Sequence, residues 1–199
     1  LGDVEITSGG TLSPGNSPGT ISVGNLTWNA GGNYNWQLAD ATSTAGTGWD
    51  LISGGNLTMS ANATNRFNVN LWSLNATSPE TSGIALNFNS TSDYSWNIGT
   101  FTNIIGVFDP DAFYINTAAI PSRTGGFIGF NGNFTLSSTG TSLTLNYVAA
   151  NVSLSGNGTW SSELPGMGNS TISNQPIVFE GSGGNSTNDV LTGIEGIVF

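Results

Sequence analysis

Besides a short alternation at Val4–Thr7, apolar and polar residues alternate in four stretches of this chain, and each alternation predicts a half-buried β-strand. No segment shows a sustained helical period, so the pattern indicates an all-β protein. A single helical turn is expected after Asp109, with Pro110 at its first position. The apolar members of the four alternations are Tyr34, Trp36 and Leu38; Phe67, Val69 and Leu71; Ile84, Leu86 and Phe88; and Tyr94, Trp96 and Ile98.

The N-terminal part of the chain has much shorter runs of β-formers, separated by corners. Two Pro-Gly corners, at 14–15 and 18–19, lie four residues apart and are flanked by runs of two to four β-formers. Proline fixes φ and glycine supplies positive φ, so both positions predict turns. Strands this short are typical of a solenoid, in which neighbours lie one turn above and below. Further corners are expected at 24–25, 53–55 and 140–141.

The composition favours stacked strands with uncharged surfaces. Charged residues make up only 7% of the chain, against roughly 25% in typical soluble domains. Asn, Ser and Thr must therefore supply the surface polarity, and uncharged polar ladders suit strands stacked about 4.8 Å apart, where like charges would repel. The chain has no Cys, so stability is expected from stacking and not from disulfides.

The charge balance argues against several functions. The net charge is −10, and Arg66 and Arg123 are the only basic side chains. We therefore expect neither nucleic-acid binding nor binding to anionic lipid heads. Without His or Cys, the chain cannot build a Ser-His-Asp or Cys-His set, and its carboxylates are dispersed. We expect no enzyme activity, no cofactor and, because no apolar run approaches 18 residues, no membrane insertion.

Three weaker signals have competing interpretations. Asp109 and Asp111, with Asp93, could supply oxygen ligands to Ca²⁺, but the ligand array is too small, and a helix-capping role for Asp109 is favoured, so no metal site is expected. Trp49 and Trp72 are the tryptophans expected to be exposed and available for stacking on a glycan, whereas Trp36 and Trp96 are expected in the core. Ten N-x-S/T sequons could be glycosylated or could belong to polar ladders. They begin at Asn25, Asn56, Asn62, Asn75, Asn89, Asn133, Asn151, Asn157, Asn169 and Asn185.

Three pieces of the chain resemble one family. They are GGTLSPGNSPGTISVGNLTWNAGGNYNWQL at 9–38 with WDLI at 49–52, FNSTSDYSWNI at 88–98, and residues 108–113 with GTSLTLNY at 140–147. Together they resemble the C-terminal half of secreted bacterial proteins with autotransporter-associated β-strand repeats, many of which end in a PEP-CTERM-type sorting tail. The resemblance implies a right-handed parallel β-helix, export and a surface or matrix location. It implies no catalytic residues.

The end of the chain departs from that family pattern. No sorting tail follows Tyr147; instead, NGTW at 157–160, PIVFEG at 176–181 and VLTGIEGIVF at 190–199 resemble the family's opening coils. The chain begins with Leu1 and not Met, which suggests a processed protein or a section of a longer one. We interpret the unit as a circularly offset module. Residues 1–149 would form a solenoid body, with a sandwich-like portion in 67–147 as an alternative, and residues 150–199 would be C-terminal rungs.

These patterns predict an extracellular structural subunit that assembles head-to-tail into a surface filament. Its partners would be copies of itself, either as separate subunits or as tandem repeats of one longer chain. Edge strands at the two termini would pair across the junction. A carbohydrate-binding surface adhesin is the alternative, and a module simply cut from a longer chain would show the same unusual termini. The interface residues expected are Val4, Ile6, Leu12, Val190, Leu191, Ile194, Ile197, Val198 and Phe199.

Overall fold

The computed structural model describes residues 1–15, 18–75, 78–118 and 125–150, and two short strands beyond them. The chain divides into two compact units, Leu1–Ala150 and Asn151–Phe199. This boundary lies one residue beyond the predicted one. In the second unit, β13 (Ser153–Leu154) pairs antiparallel with β14 (Ile177–Val178). Among the described residues, no helix has the length and hydrophobicity needed to cross a membrane.

The regular secondary structure of the first unit is nearly all strand, as the alternation predicts. Among its described residues, the one helical element is the 3₁₀ turn Pro110–Ala112, which lies where Asp109 and Pro110 predict it. The strands are β1 Val4–Ile6, β2 Thr11–Leu12, β3 Thr20–Ser22, β4 Leu26–Trp28, β5 Asn33–Leu38, β6 Leu51–Met59, β7 Phe67–Asn75, β8 Ser78–Ser82, β9 Tyr94–Ile105, β10 Phe113–Asn116, β11 Asn133–Ser138 and β12 Ser142–Val148.

Seven of these strands form a mixed sheet, which we call sheet A. Its order is β1-β4-β6-β9-β12-β11, and β3 pairs with the first part of β6. The pairs from β1 to β9 are parallel. The two pairs that follow, β9 with β12 and β12 with β11, are antiparallel.

The second sheet, sheet B, has the order β10-β7-β5-β2, and all three pairs along this path are parallel. Strand β8 adds to β7 in the antiparallel sense. From β1 to β7 the chain passes back and forth between the two sheets, and β9 and β10 repeat the passage. Apart from β3, which pairs with the first part of β6 and not with β1, each new strand lies beside the preceding one in its sheet.

The core lies between the inward faces of the sheets. The alternating residues of β5, β7 and β9 are buried, including Tyr34, Trp36, Phe67 and Trp96, which confirms the predicted inward faces of these strands. Trp28 stacks on Phe67 with ring centroids 4.4 Å apart. Aromatic contacts of this kind add about 0.5–1.5 kcal/mol beyond area burial.

Close packing around the start of β5 explains why residue 32 is a glycine. A Cβ on Gly32 would lie 2.8 Å from the Phe67 ring and 2.9 Å from Ile6 Cγ2. Neither neighbour has room to move because both are buried. The corner that leads into β5 therefore requires a residue without a side chain.

Two local predictions are wrong. The turn expected at Ser53–Gly55 is continuous strand within β6, and the register with β9 is the same on either side of Gly55. The alternation from Ile84 to Phe88 does not form a strand; Ile84 and Leu86 are 58% and 51% exposed, while Ala85 is buried. Asp40 pairs with Leu86 in an isolated bridge instead.

Candidate assembly interface

The first strand of sheet A has one paired side and one outer side. Val4 N donates to Asn25 O at 2.8 Å, and the carbonyls of Gly2 and Ile6 accept from Gly24 and Asn29. In a parallel ladder, alternate residues direct their backbone groups to opposite sides. The backbone groups of Asp3 and Glu5 therefore point away from β4, toward an edge with no neighbouring strand among the described residues.

The apolar interface residues predicted at this end face inward. Ile6 and Leu12 are 4% and 8% exposed, and Val4 is half-buried against the same core. Their side chains thus pack within this unit, which leaves the backbone edge and the acidic side chains of β1 for contact with a neighbour. The remaining predicted interface residues lie outside the described part of the chain: Val190, Leu191, Ile194, Ile197, Val198 and Phe199.

A ladder of amides crosses the outer face of sheet A. Asn103 Nδ2 donates to Asn56 Oδ1 at 3.2 Å, and Asn56 N donates to Asn25 Oδ1 at 3.0 Å. Asn25 in turn donates to Asp3 from its backbone N–H, at 2.7 Å, and from Nδ2. The ladder thus ends at β1 on a carboxylate, which accepts hydrogen bonds and has none to donate.

The hydrogen bonds at the end of this ladder also favour the ionised form of Asp3. The backbone N–H of Asn25 and then its side-chain amide hold the pKa of Asp3 below its ordinary value. Hydrogen bonds to the charged form of a carboxyl favour that form. Asp3 therefore keeps its negative charge at the edge of sheet A throughout the neutral and mildly acidic range.

Sheet B carries a second amide ladder with the same polarity. Asn68 Nδ2 donates to Asn33 Oδ1 at 3.1 Å, Asn70 to Asn35 at 2.8 Å, and Asn116 to Asn70 at 3.0 Å. In both ladders the donor belongs to the later strand and the acceptor is a side-chain oxygen of the earlier one. The uncharged polar ladders predicted from composition are confirmed.

The opposite edge of sheet A is β11. The turn bond from Thr139 N to Ser142 O fixes which residues of the hairpin are hydrogen-bonded pairs. Because the pairs alternate along an antiparallel ladder, Thr135 and Ser137 bond to β12. Phe134 and Leu136 then direct their backbone groups to the outer side, where no further strand of the described residues pairs with β11, although the 3₁₀ turn and β10 both approach this strand.

Polar side chains line the outer face of β11. Asn133, Thr135 and Ser137 are exposed, while Leu136 is 4% exposed and faces the core. Amide and hydroxyl groups both donate hydrogen bonds. One edge of sheet A therefore presents the carboxylates of Asp3 and Glu5, and the other presents neutral donors.

Neither of the two tryptophans predicted to stack on a glycan has a fully exposed ring. Trp72 is 3% exposed, so the expectation that it is exposed is wrong; it sits opposite Gln37 in the register of sheet B. Trp49 is half-buried, and its indole N–H donates to Asn97 O at 2.9 Å. Trp36 and Trp96 are core residues, as predicted.

The sequons fall into different local structures. Asn25 and Asn56 are members of the sheet A ladder, whereas Asn62 and Asn89 cap exposed turns by accepting backbone N–H bonds two residues on. Asn133 is an exposed residue at the start of β11. Asn75 ends β7. The other four, Asn151, Asn157, Asn169 and Asn185, lie outside the described residues.

The acidic residues considered for calcium have structural partners. Asp109 caps the 3₁₀ turn by accepting from Asp111 N at 2.9 Å, which confirms the capping role. Asp93 accepts from Ala149 N at 2.8 Å. Within the described residues, no group of three or more Asp, Glu, His or Cys side chains is arranged to hold a metal ion.

Sequence patterns predict polar ladders but do not locate the one on sheet A, and they do not indicate the β11 edge. A signal for the ladder is present: Asn-Leu-Thr occurs at 25–27 and again at 56–58, and the two copies lie in register in neighbouring strands. No comparable repeat marks β11, because its hairpin reverses direction and has no counterpart earlier in the chain.

Comparison of the chain with protein-family models, with curated proteins and with solved structures finds no match. The geometry of the described residues therefore carries the functional argument.

Proposed function

We propose that this protein is an extracellular structural subunit that assembles head-to-tail with copies of itself into a surface filament or fibre. Its first unit would be a short parallel β-helix, right-handed as the resemblance to autotransporter-associated repeat proteins implies. Pairing of edge strands would join the copies. Neither a cofactor nor a nucleic acid partner enters this proposal.

The topology of the first unit supports a β-helical body. Strands β1, β4, β6 and β9 follow one another in sheet A, and β2, β5, β7 and β10 follow in the same sequence in sheet B. Side-chain amides bond between successive strands in both sheets. This is how a solenoid distributes its interactions, each repeat contacting its neighbours.

The observation that carries the assembly proposal is the outer side of β1. Its backbone groups at Asp3 and Glu5 point away from β4, and unpaired strand edges readily add another strand. The composition supports an exported location, since the low charge and the abundance of Asn, Ser and Thr fit a stacked, uncharged surface. The adhesin alternative gains no support from Trp49 or Trp72, whose surroundings are described above.

A proline in β1 tests the proposal. Glu5→Pro removes the outward backbone donor, whereas the inward bond of Val4 stays in place. We expect Glu5→Pro to abolish filaments seen by electron microscopy and to leave a particle of monomer size in sedimentation. Glu5→Ala is the matched control because it keeps the backbone N–H, and it should still assemble.

Deletion of residues 191–199 tests the predicted C-terminal half of the junction separately. A monomer would show that these residues are needed for the junction, whereas filaments would show that the edge strands of the first unit are sufficient. Filaments of unchanged length in both Glu5→Pro and the deletion would refute assembly through these edges. If the wild-type chain stays monomeric at every concentration, the structural-subunit proposal is wrong.

A further inference from the structure

Both edge strands of sheet A run in the same direction. Strand β9 is parallel to β1 through β4 and β6, β12 is antiparallel to β9, and β11 is antiparallel to β12. The two reversals cancel, so β11 points the same way as β1. A second copy displaced along the sheet, without rotation, would thus bring its β1 alongside β11 as a parallel pair.

The backbone groups at the two edges match for such a pair. In a parallel ladder, one residue bonds to the two residues that flank its partner. Glu5 directs its backbone groups to its edge, and Phe134 and Leu136 direct theirs to the β11 edge. With Glu5 opposite Thr135, both acidic side chains of β1 lie on the outer face with the polar side chains of β11, and Val4 and Ile6 continue the inward face.

The side chains favour this pair over the self-pairing of β1. Two β1 strands side by side would bring four carboxylates from Asp3 and Glu5 together, and like charges directly opposite destabilise a sheet. Across from β11, the same carboxylates meet Asn133, Thr135 and Ser137, which are exposed and can donate. The acidic edge thus blocks head-to-head pairing, a known way of managing free edges.

We propose that the β11 edge of one copy receives the β1 edge of the next, so that sheet A continues from copy to copy. This inference rests on the proposed head-to-tail assembly and names its receiving surface. Copies related by the same translation cannot form a closed ring, so the product would be an open filament. Among the described residues, the path of sheet A has two more strands than that of sheet B, so copies that meet at the edges of sheet A would leave the edges of sheet B apart.

Charge exchange across the junction tests this pairing in the full chain. Thr135→Glu places a carboxylate opposite Asp3 and Glu5, and we expect it to raise the dissociation constant for assembly about tenfold or more. Adding Glu5→Lys should bring the constant back to within about threefold of wild type, because the new pair has opposite charges. Concentration-dependent light scattering and sedimentation measure both constants.

Thr58→Glu is the matched control. It adds the same charge to an exposed position on β6, in the interior of the same sheet, and should leave assembly unchanged. The effect of Thr135→Glu should shrink at high salt, where exposed charges are screened. Thermal unfolding of each variant checks that the fold is intact.

The outcomes separate the two proposals. If Glu5→Pro prevents assembly but Thr135→Glu does not weaken it, or the double variant does not recover, β11 is not the receiving edge and the head-to-tail function stands. If the wild-type chain does not assemble, both proposals fall. Recovery of assembly only in the double variant supports the β1–β11 pair.

Discussion

At the scale of single residues, Asp50 shows how a buried charge positions the chain. The carboxylate is fully buried. Its Oδ1 accepts from Gly19 N at 2.8 Å and its Oδ2 from Gln37 N at 3.0 Å. One side chain thus ties the second Pro-Gly corner to β5. A buried charge needs such bonds, since its desolvation is otherwise costly.

Asp50→Asn should destabilise the first unit. The amide keeps one acceptor oxygen but turns an N–H₂ group toward a backbone N–H, which leaves a buried donor unpaired. We expect a loss of about 1–3 kcal/mol in the free energy of unfolding, measured by urea denaturation. The exposed Asp111→Asn should change that free energy by less than about 0.5 kcal/mol; equal losses would contradict the assigned role of Asp50.

Tyr34 gives a prediction for alkaline pH. Burial, and then the nearby charge of Asp50, raise the pKa of its hydroxyl well above 10.0. Above pH 10 the unfolded chain releases the proton while the folded chain retains it, so stability falls as pH rises. Tyr34→Phe should flatten this decline in thermal unfolding between pH 9 and about 11, whereas exposed Tyr114→Phe should not.

At the scale of elements, the amide ladders determine how neighbouring strands stay in register. Asn70 donates to Asn35 and accepts from Asn116, so it links three strands of sheet B. Each asparagine provides both a donor and an acceptor, and a register shift by one residue would turn the whole set to the other face. The ladders thus specify register without charged side chains.

Asn70→Asp should interrupt the sheet B ladder. The carboxylate can still accept from Asn116, but it meets the Asn35 oxygen with no proton to donate. Asn70 is 7% exposed, so we expect a loss of about 1–3 kcal/mol, as for other buried groups left without partners. Asn133→Asp, at an exposed strand end, is the control and should be nearly neutral at neutral pH; a matching loss there would argue against the ladder.

At the scale of the whole first unit, the hairpin β11–β12 sets the direction of one edge strand of sheet A relative to the other. It adds two strands and restores the original strand direction, so both edges remain compatible with translation of a second copy. In the proposed assembly, the charge difference between the edges would give the filament a direction. Sequence patterns at the ends of the chain could suggest mating edges, but could not identify β11 as one of them.

Acid pH should act on the assembly through the same edge. The pKa of Asp3 is lowered in the folded chain, so its stabilising contribution is present above the ordinary value of 3.8 and is lost as pH falls below it. Protonation also removes the repulsion between β1 edges. We expect head-to-head pairs to appear only below pH 3.8, detected as dimers by sedimentation; Asp3→Asn should shift their appearance to higher pH.

The sequence by itself determined the strand class, the inward faces of β5, β7 and β9, the 3₁₀ turn at Pro110 and the β11–β12 corner at 140–141. These features depend on local periodicity and on the backbone limits of proline and glycine, which act within a few residues. The uncharged ladders also followed from composition, because stacked like charges repel.

Only the tertiary structure decided which strands are neighbours and where Trp72, Ile84 and Leu86 lie. Trp72 alternates with Leu71 and was expected to be exposed, yet it is buried. The Gly-Gly of 54–55 looks like a turn, yet pairing on both sides keeps β6 extended. Burial and strand pairing depend on residues far apart in the chain, so short-range sequence patterns do not predict them. For the same reason, the parallel orientation of the edge strands β1 and β11 is visible only in the tertiary structure.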